Sequence, residues 1–174
     1  MSKVVLVTGG SRSGKSRFAE TLALGYPAMR GYLATAEAGD AEMAERIARH
    51  QGRRGEEWHT MEEPLQVEEK VRANDGRFQV ILLDCVTLWL SNLLFSCEGG
   101  AAEALSRVER FTESFKSLQT PLVIVTNEVG MGIVPEHPLS RTFRDLSGEA
   151  NELIAARADE VHVCFAGLPL KLKG

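Results

Sequence analysis

The run Gly9-Gly10-Ser11-Arg12-Ser13-Gly14-Lys15-Ser16 carries the spacing G-x-x-x-x-G-K-[ST]. Glycines in such a run let the backbone curl until successive amide N–H groups converge on phosphate oxygens, and the helix that follows adds its positive end. Lys15 would neutralise the phosphates as charge shifts during transfer, and the hydroxyl of Ser16 would coordinate magnesium. The alternative is a glycine-rich turn that happens to hold a lysine. Its context argues against that: Val4 to Thr8 reads as a buried strand and Lys15 to Leu24 as a helix, the strand–loop–helix setting that a phosphate cradle needs.

Two further groups have suitable chemistry. Val80-Ile81-Leu82-Leu83-Asp84 ends a buried strand on an acid at the carboxyl edge of a sheet, beside the phosphate loop, which makes Asp84 a candidate magnesium partner. The same carboxylate could instead cap a helix starting near Val86. Asp40 can cap a helix over residues 41–53, in which Arg46 and His50 lie four apart on one face and Arg49 and Arg53 line the neighbouring side. That cationic strip suits a triphosphate. A neutral imidazole can attack phosphorus, and the arginines favour the neutral form by like-charge repulsion. Residue types alone make a helical histidine among arginines more often a solvated surface residue.

The elements that must position these groups alternate. Aliphatic runs recur at Val4 to Thr8, Gly31 to Thr35, Gln79 to Asp84, Pro121 to Thr126 and Glu160 to Phe165, with Leu168 to Lys173 as a short C-terminal edge strand. Between them, residues 15–24, 41–53, 64–73, 86–97, 101–118 and 139–158 read as helices. Continuous apolar character in Val80-Ile81-Leu82-Leu83 and Leu122-Val123-Ile124-Val125 requires strands covered on both faces. The expectation is one α/β domain of the RecA-like P-loop type over residues 1–174, with a mostly parallel sheet flanked by helices. Trp89-Leu90 and Phe111 with Phe115 fit either the core or a subunit contact.

Composition narrows the function classes. With 24 acidic against 20 basic residues and a net charge of -4, the chain has no overall basic footprint for nucleic acid. Cys85, Cys97 and Cys164 stand too far apart for a zinc motif, and an odd count fits a reducing compartment. The apolar run Val4 to Val7 is too short for a signal peptide, and no run reaches the length of a membrane span. A cytoplasmic protein is expected.

Several segments together resemble the bifunctional adenosylcobinamide kinase and adenosylcobinamide-phosphate guanylyltransferase family of cobalamin biosynthesis. They are Thr8 to Ser16, Tyr32-Leu33-Ala34-Thr35-Ala36, Glu42 to Ile47 with His50, and Trp58 to Pro64. The most specific are Thr126-Asn127-Glu128-Val129-Gly130-Met131-Gly132-Ile133-Val134-Pro135, Arg141 to Asp145, and Ala166 to Lys171. The resemblance implies two reactions: phosphorylation of the aminopropanol hydroxyl of adenosylcobinamide by ATP or GTP, then transfer of GMP from GTP onto that phosphate. It assigns His50 as the residue that carries GMP between the two; where some members have two adjacent histidines, this chain has Arg49-His50. It also implies nucleotide contacts from the phosphate loop, Ala34, Thr35, Ala36, Gln51, Gly52, Arg53, Arg54, Glu62 and Asp84, and a homotrimer.

Glu62 could equally cap the helix expected to begin near Pro64. His59, His137 and His162 read as structural. Glu128, just past a strand, could orient the acceptor hydroxyl or pair with Arg141 or Arg144, and Gly130 to Val134 forms an apolar loop suited to a corrinoid face. Competing functions are a kinase lacking the guanylyl step and a nucleotide switch that transfers nothing.

Overall fold

A computed structural model of the protein describes residues 2–36 and 55–174. The helix expected over residues 41–53, with His50, Gln51, Gly52, Arg53 and Arg54, lies outside the described residues. The described strands are β1 (Val4–Gly9), β2 (Arg30–Ala34), β3 (Trp58–Glu62), β4 (Val80–Asp84), β5 (Leu122–Val125), β6 (Glu160–Phe165) and β7 (Leu168–Lys173). The described helices are α1 (Lys15–Leu24), α2 (Val67–Ala73), α3 (Val86–Ser96), α4 (Gly100–Ser114) and α5 (Pro138–Arg157). Single 3-10 turns follow at Phe115–Ser117 and Val129–Met131.

All seven strands form one sheet in the order β3-β2-β4-β5-β1-β6-β7. Every pairing among β1 to β6 is parallel, and β7 alone turns back antiparallel on β6. The expected α/β architecture and C-terminal edge strand are therefore present. Successive side chains on a strand point to opposite faces, so a buried strand feeds two cores. In β1, Val4 and Leu6 join one cluster while Val5 and Val7 join the other. In β4, Ile81 and Leu83 divide from Val80 and Leu82 in the same way.

Helix α1 closes one face with Ala19 and Ala23, and the helices α2 to α5 close the other. Trp89 and Phe111 meet edge to face at 5.5 Å, and Phe111 meets Phe115 at 5.0 Å. All three are buried, so these aromatics belong to the core and are not available for a subunit contact.

Among the departures from the sequence expectation, the helix expected over 101–118 ends at Ser114 before a 3-10 turn, and two others concern residues 58–67. β3 was not anticipated: Trp-His-Thr-Met-Glu has no apolar run, because an edge strand buries little and only Met61 is fully covered. The helix expected from Pro64 begins at Val67, because the Glu63 carboxylate first accepts hydrogen bonds from the N–H groups of Leu65 (3.1 Å) and Gln66 (2.8 Å). That side-chain turn competes with helix for the same donors. The N-cap is Gln66 and no side chain caps the helix, so Glu62 does not serve as its cap.

Candidate nucleotide site

The phosphate loop joins β1 to α1 at the carboxyl edge of the sheet. Gly9 and Gly14 take φ of 151° and 92°, conformations that side-chain-bearing residues rarely adopt. Space is equally restrictive. A Cβ on Gly9 would stand 2.6 Å from Ser13 Oγ and 2.7 Å from the Cys164 carbonyl, and one on Gly14 would stand 2.8 Å from Gly167 Cα.

The last contact reveals a support that lies far away in sequence. The turn between β6 and β7, with Ala166 and Gly167 at φ 49° and 83°, presses on the loop, and Gly167 N–H donates to the Ser13 carbonyl at 2.8 Å. Lys15 is buried, and its Nζ donates to the Gly10 carbonyl at 3.1 Å, holding the ammonium against the loop. Ser13 Oγ is buried without a hydrogen-bond partner among the described residues. Ser16 is half-buried in the first turn of α1, while Ser11 and Arg12 are exposed and Arg12 has a left-handed φ of 55°.

Register aligns the neighbouring strand ends. Ala34 pairs with Glu62 on one side and with Asp84 on the other, and Asp84 pairs with Val125, whose other partner is Val7. Asp84 is not directly beside the phosphate loop, as the sequence suggested: β5 intervenes, so β4 and β1 lie about 10 Å apart at ordinary strand spacing. Asp84 Oδ2 accepts from the Tyr32 hydroxyl at 2.9 Å. The N-cap of α3 is Cys85 and no side chain caps that helix, so Asp84 does not serve as its cap.

Thr35 has no exposed surface. Its hydroxyl donates to the Cys85 carbonyl at 2.7 Å and accepts from the Cys85 N–H at 2.9 Å, while its own carbonyl accepts from Asn92 Nδ2 at 2.8 Å. Its side chain is therefore directed at the Asp84–Cys85 turn, whose peptide bond is cis. Ala36 is half-buried and Glu62 exposed at this edge.

The residues after β5 emerge between the phosphate loop and Asp84. Glu128 N–H donates to the Gly9 carbonyl at 3.1 Å, and the Thr8 hydroxyl donates to Glu128 Oε1. Asn151 Nδ2 reaches the same Oε1 at 3.4 Å and the Asn127 carbonyl at 3.1 Å, and Asn151 Oδ1 accepts from the Thr126 hydroxyl at 2.7 Å. Arg144 instead bonds the Gly130 carbonyl at 3.1 Å, and Arg141 bonds the Pro135 carbonyl at 3.1 Å, so neither pairs with Glu128. Sequence reasoning missed Thr8, Tyr32 and Asn151 as parts of the site. Their partners lie 120, 52 and 23 positions away, and only the strand order brings them together.

Two of the other histidines pack against aromatic rings, while His137 is exposed. His59 stacks on Phe78 at 5.6 Å, His162 meets Phe18 edge to face at 5.2 Å, and His137 is the N-cap residue before Pro138. Burial pushes the Cys85 thiol up to about 11, with the Asp84 charge adding to it, and burial also raises Cys97 and Cys164. All three stay protonated and free, unlike activated thiols. Among the described residues no three or more His, Cys, Asp or Glu are grouped so that they could hold a metal ion.

Comparison with known proteins agrees with this architecture. The chain is 43% identical to the bifunctional adenosylcobalamin biosynthesis protein CobP of Pseudomonas aeruginosa, covering 97% of this chain and 96% of that protein. It is 40% identical to the bifunctional adenosylcobalamin biosynthesis protein CobU of Escherichia coli, covering 98% and 99%. Among solved structures, a KaiC-like protein of Pyrococcus horikoshii aligns with a TM-score of 0.53 at 14% identity, over 92% of this chain and 70% of that one. The P4 protein of bacteriophage phi6, solved in complex with ADP, aligns with a TM-score of 0.51 at 17% identity, over 97% and 52%. Those two likenesses establish the P-loop fold alone. The sequence model described as cobinamide kinase / cobinamide phosphate guanyltransferase matches residues 5–172, and the chain belongs to that family.

Proposed function

We propose that this protein phosphorylates the aminopropanol hydroxyl of adenosylcobinamide with ATP or GTP and then transfers GMP from GTP to the resulting phosphate, giving adenosylcobinamide-GDP. The observation that carries this reading is a phosphate loop of the required backbone geometry, at one sheet edge with Asp84, in a chain matched by the family over residues 5–172. The buried, unpartnered Ser13 hydroxyl and the Lys15 ammonium suit a polyphosphate, which supplies acceptors for both.

Ser16 and Asp84 offer two hard oxygen ligands, the sparse protein donor set that magnesium takes when a triphosphate and water complete its shell. When bound, that ion would offset phosphate charge; the protein's part is to hold the triphosphate by the loop amides and Lys15. The two reactions differ in the phosphorus attacked, γ for the kinase and α for guanylyl transfer, so one cradle serves two nucleophiles. His50 is our candidate for the second, supported by its place among Arg46, Arg49 and Arg53 and by the family resemblance. Gln51, Gly52, Arg53, Arg54, Glu62, Ala34, Thr35 and Ala36 would contact the nucleotide, Thr35 through the turn it holds.

The loop after Glu128 would receive the corrinoid, since Met131, Ile133 and Val134 are 71%, 96% and 60% exposed and follow Glu128, whose N–H is bonded to the Gly9 carbonyl. The family resemblance suggests a homotrimer, and the exposed hairpin surface of Phe165, Leu168, Leu170 and Leu172 offers an apolar face for a subunit contact. We read the protein as cytoplasmic from its free cysteines; among the described residues no helix is long and apolar enough to cross a membrane. Incubation with adenosylcobinamide, ATP and GTP should yield the phosphate and then the GDP adduct by mass spectrometry. Phosphate alone would leave only a kinase, and neither product would leave a nucleotide switch.

A further inference from the structure

Glu128 holds a position that the two-step reading does not use. It follows β5, and β5 is the strand between β1, which bears the phosphate loop, and β4, which bears Asp84. Its backbone is tied to Gly9, the first residue of that loop, and its carboxylate to Thr8, the residue before. The Asn151 amide, itself fixed by Thr126 and the Asn127 carbonyl, is the second donor. Both donors converge on Oε1, so Oε2 accepts no hydrogen bond from the described residues. Neither Arg141 nor Arg144 neutralises it. A carboxylate with one oxygen fixed by neutral donors and the other left accessible is arranged to accept a proton.

We infer that Glu128 is the general base of the phosphoryl-transfer step, with Thr8 and Asn151 as its positioning residues. The inference rests on the kinase reading given above. In the step, the acceptor hydroxyl oxygen forms a bond to the γ-phosphorus while the bond from that phosphorus to the β–γ bridging oxygen breaks. The hydroxyl proton passes to Glu128 Oε2 and afterwards to water, and the nucleoside diphosphate leaves with the bond's electron pair. Guanylyl transfer to an imidazole has no hydroxyl to deprotonate. Glu128 therefore belongs to one of the two activities only.

Glu128→Gln tests this, because the amide oxygen still accepts from Thr8 and Asn151 and the loop keeps its shape. We expect kcat for cobinamide phosphorylation to fall about 100- to 10,000-fold with KM for nucleotide changed less than about threefold. Covalent labelling of the same variant by α-labelled GTP should persist. Thr8→Val should lower kcat with KM held, and Thr8→Ser should restore it, a rescue that mere loss of packing would not show. Phosphorylation by Glu128→Gln at the wild-type rate would overturn the assignment and leave the family reading intact. Loss of phosphorylation and labelling together would also overturn it, since the change would then have disrupted the shared cradle. Absence of cobinamide phosphorylation by the wild-type protein would sink the kinase reading and this inference with it.

Discussion

Thr35 is fully buried: its hydroxyl donates to the Cys85 carbonyl and accepts from the Cys85 N–H, its carbonyl accepts from Asn92 Nδ2, and its own N–H donates to the Asp84 carbonyl. Its chemistry is positional: it fixes the turn that follows Asp84 and so fixes the direction in which Asp84 leaves the sheet. Thr35→Val keeps the shape but strands the Cys85 N–H, while the Cys85 carbonyl still accepts from the Trp89 N–H at 3.2 Å, so it should cost about 1–3 kcal/mol of stability and weaken nucleotide binding. Thr35→Ser should stay close to wild type; urea denaturation and nucleotide titration of both variants check this. At this scale the sequence made Gly9 to Ser16 legible because a phosphate loop is a local pattern. Asp84 was legible as the acid closing an apolar run. The Tyr32–Asp84 and Thr8–Glu128 bonds were not, since they join residues 52 and 120 positions apart.

At the scale of elements, the β6–β7 hairpin does more than close the sheet. Its turn packs against Gly14 and bonds the Ser13 carbonyl, so the C-terminus of the described chain supports a loop near its beginning. Gly167 has a φ of 83°, and a side chain there is strained by about 1–2 kcal/mol. Gly167→Ala should therefore lower stability by about that amount and also weaken ATP and GTP binding, which calorimetric titration would measure. Unchanged nucleotide affinity would mean that the turn is a bystander. The hairpin itself was readable from Gly167 and the apolar run after it, whereas its contact with the loop depends on β6 lying next to β1. The half-exposed strand β3 was unreadable for a different reason: as the last strand of the described sheet it buries only Met61 fully, so it needs no apolar run.

Across the whole molecule, Glu160 ties the beginning of the chain to its end. Its carboxylate accepts from Lys171 Nζ at 2.8 Å and from Lys3 Nζ at 2.8 Å, and it lies 3.4 Å from His162 Nε2. The Lys171 bond first and then the Lys3 bond lower its pKa from 4.5 to about 2. A carboxylate held below its unfolded value contributes stability that is complete above about 4.5 and is lost as pH falls toward about 2. Glu160→Gln should be less stable than wild type at neutral pH, and the difference should shrink across that window; urea midpoints at stepped pH measure it. A gap that does not change with pH would contradict the sign.

We propose that one phosphate cradle serves two chemistries, with His50 receiving GMP between them. Incubation with α-labelled GTP, without any cobinamide, tests it most directly. The expected result is a covalent label that survives alkali, is released by acid, maps to His50 and is absent from His50→Ala and Lys15→Ala. A protein that phosphorylates cobinamide yet takes up no label, or carries its label on another residue, would contradict it.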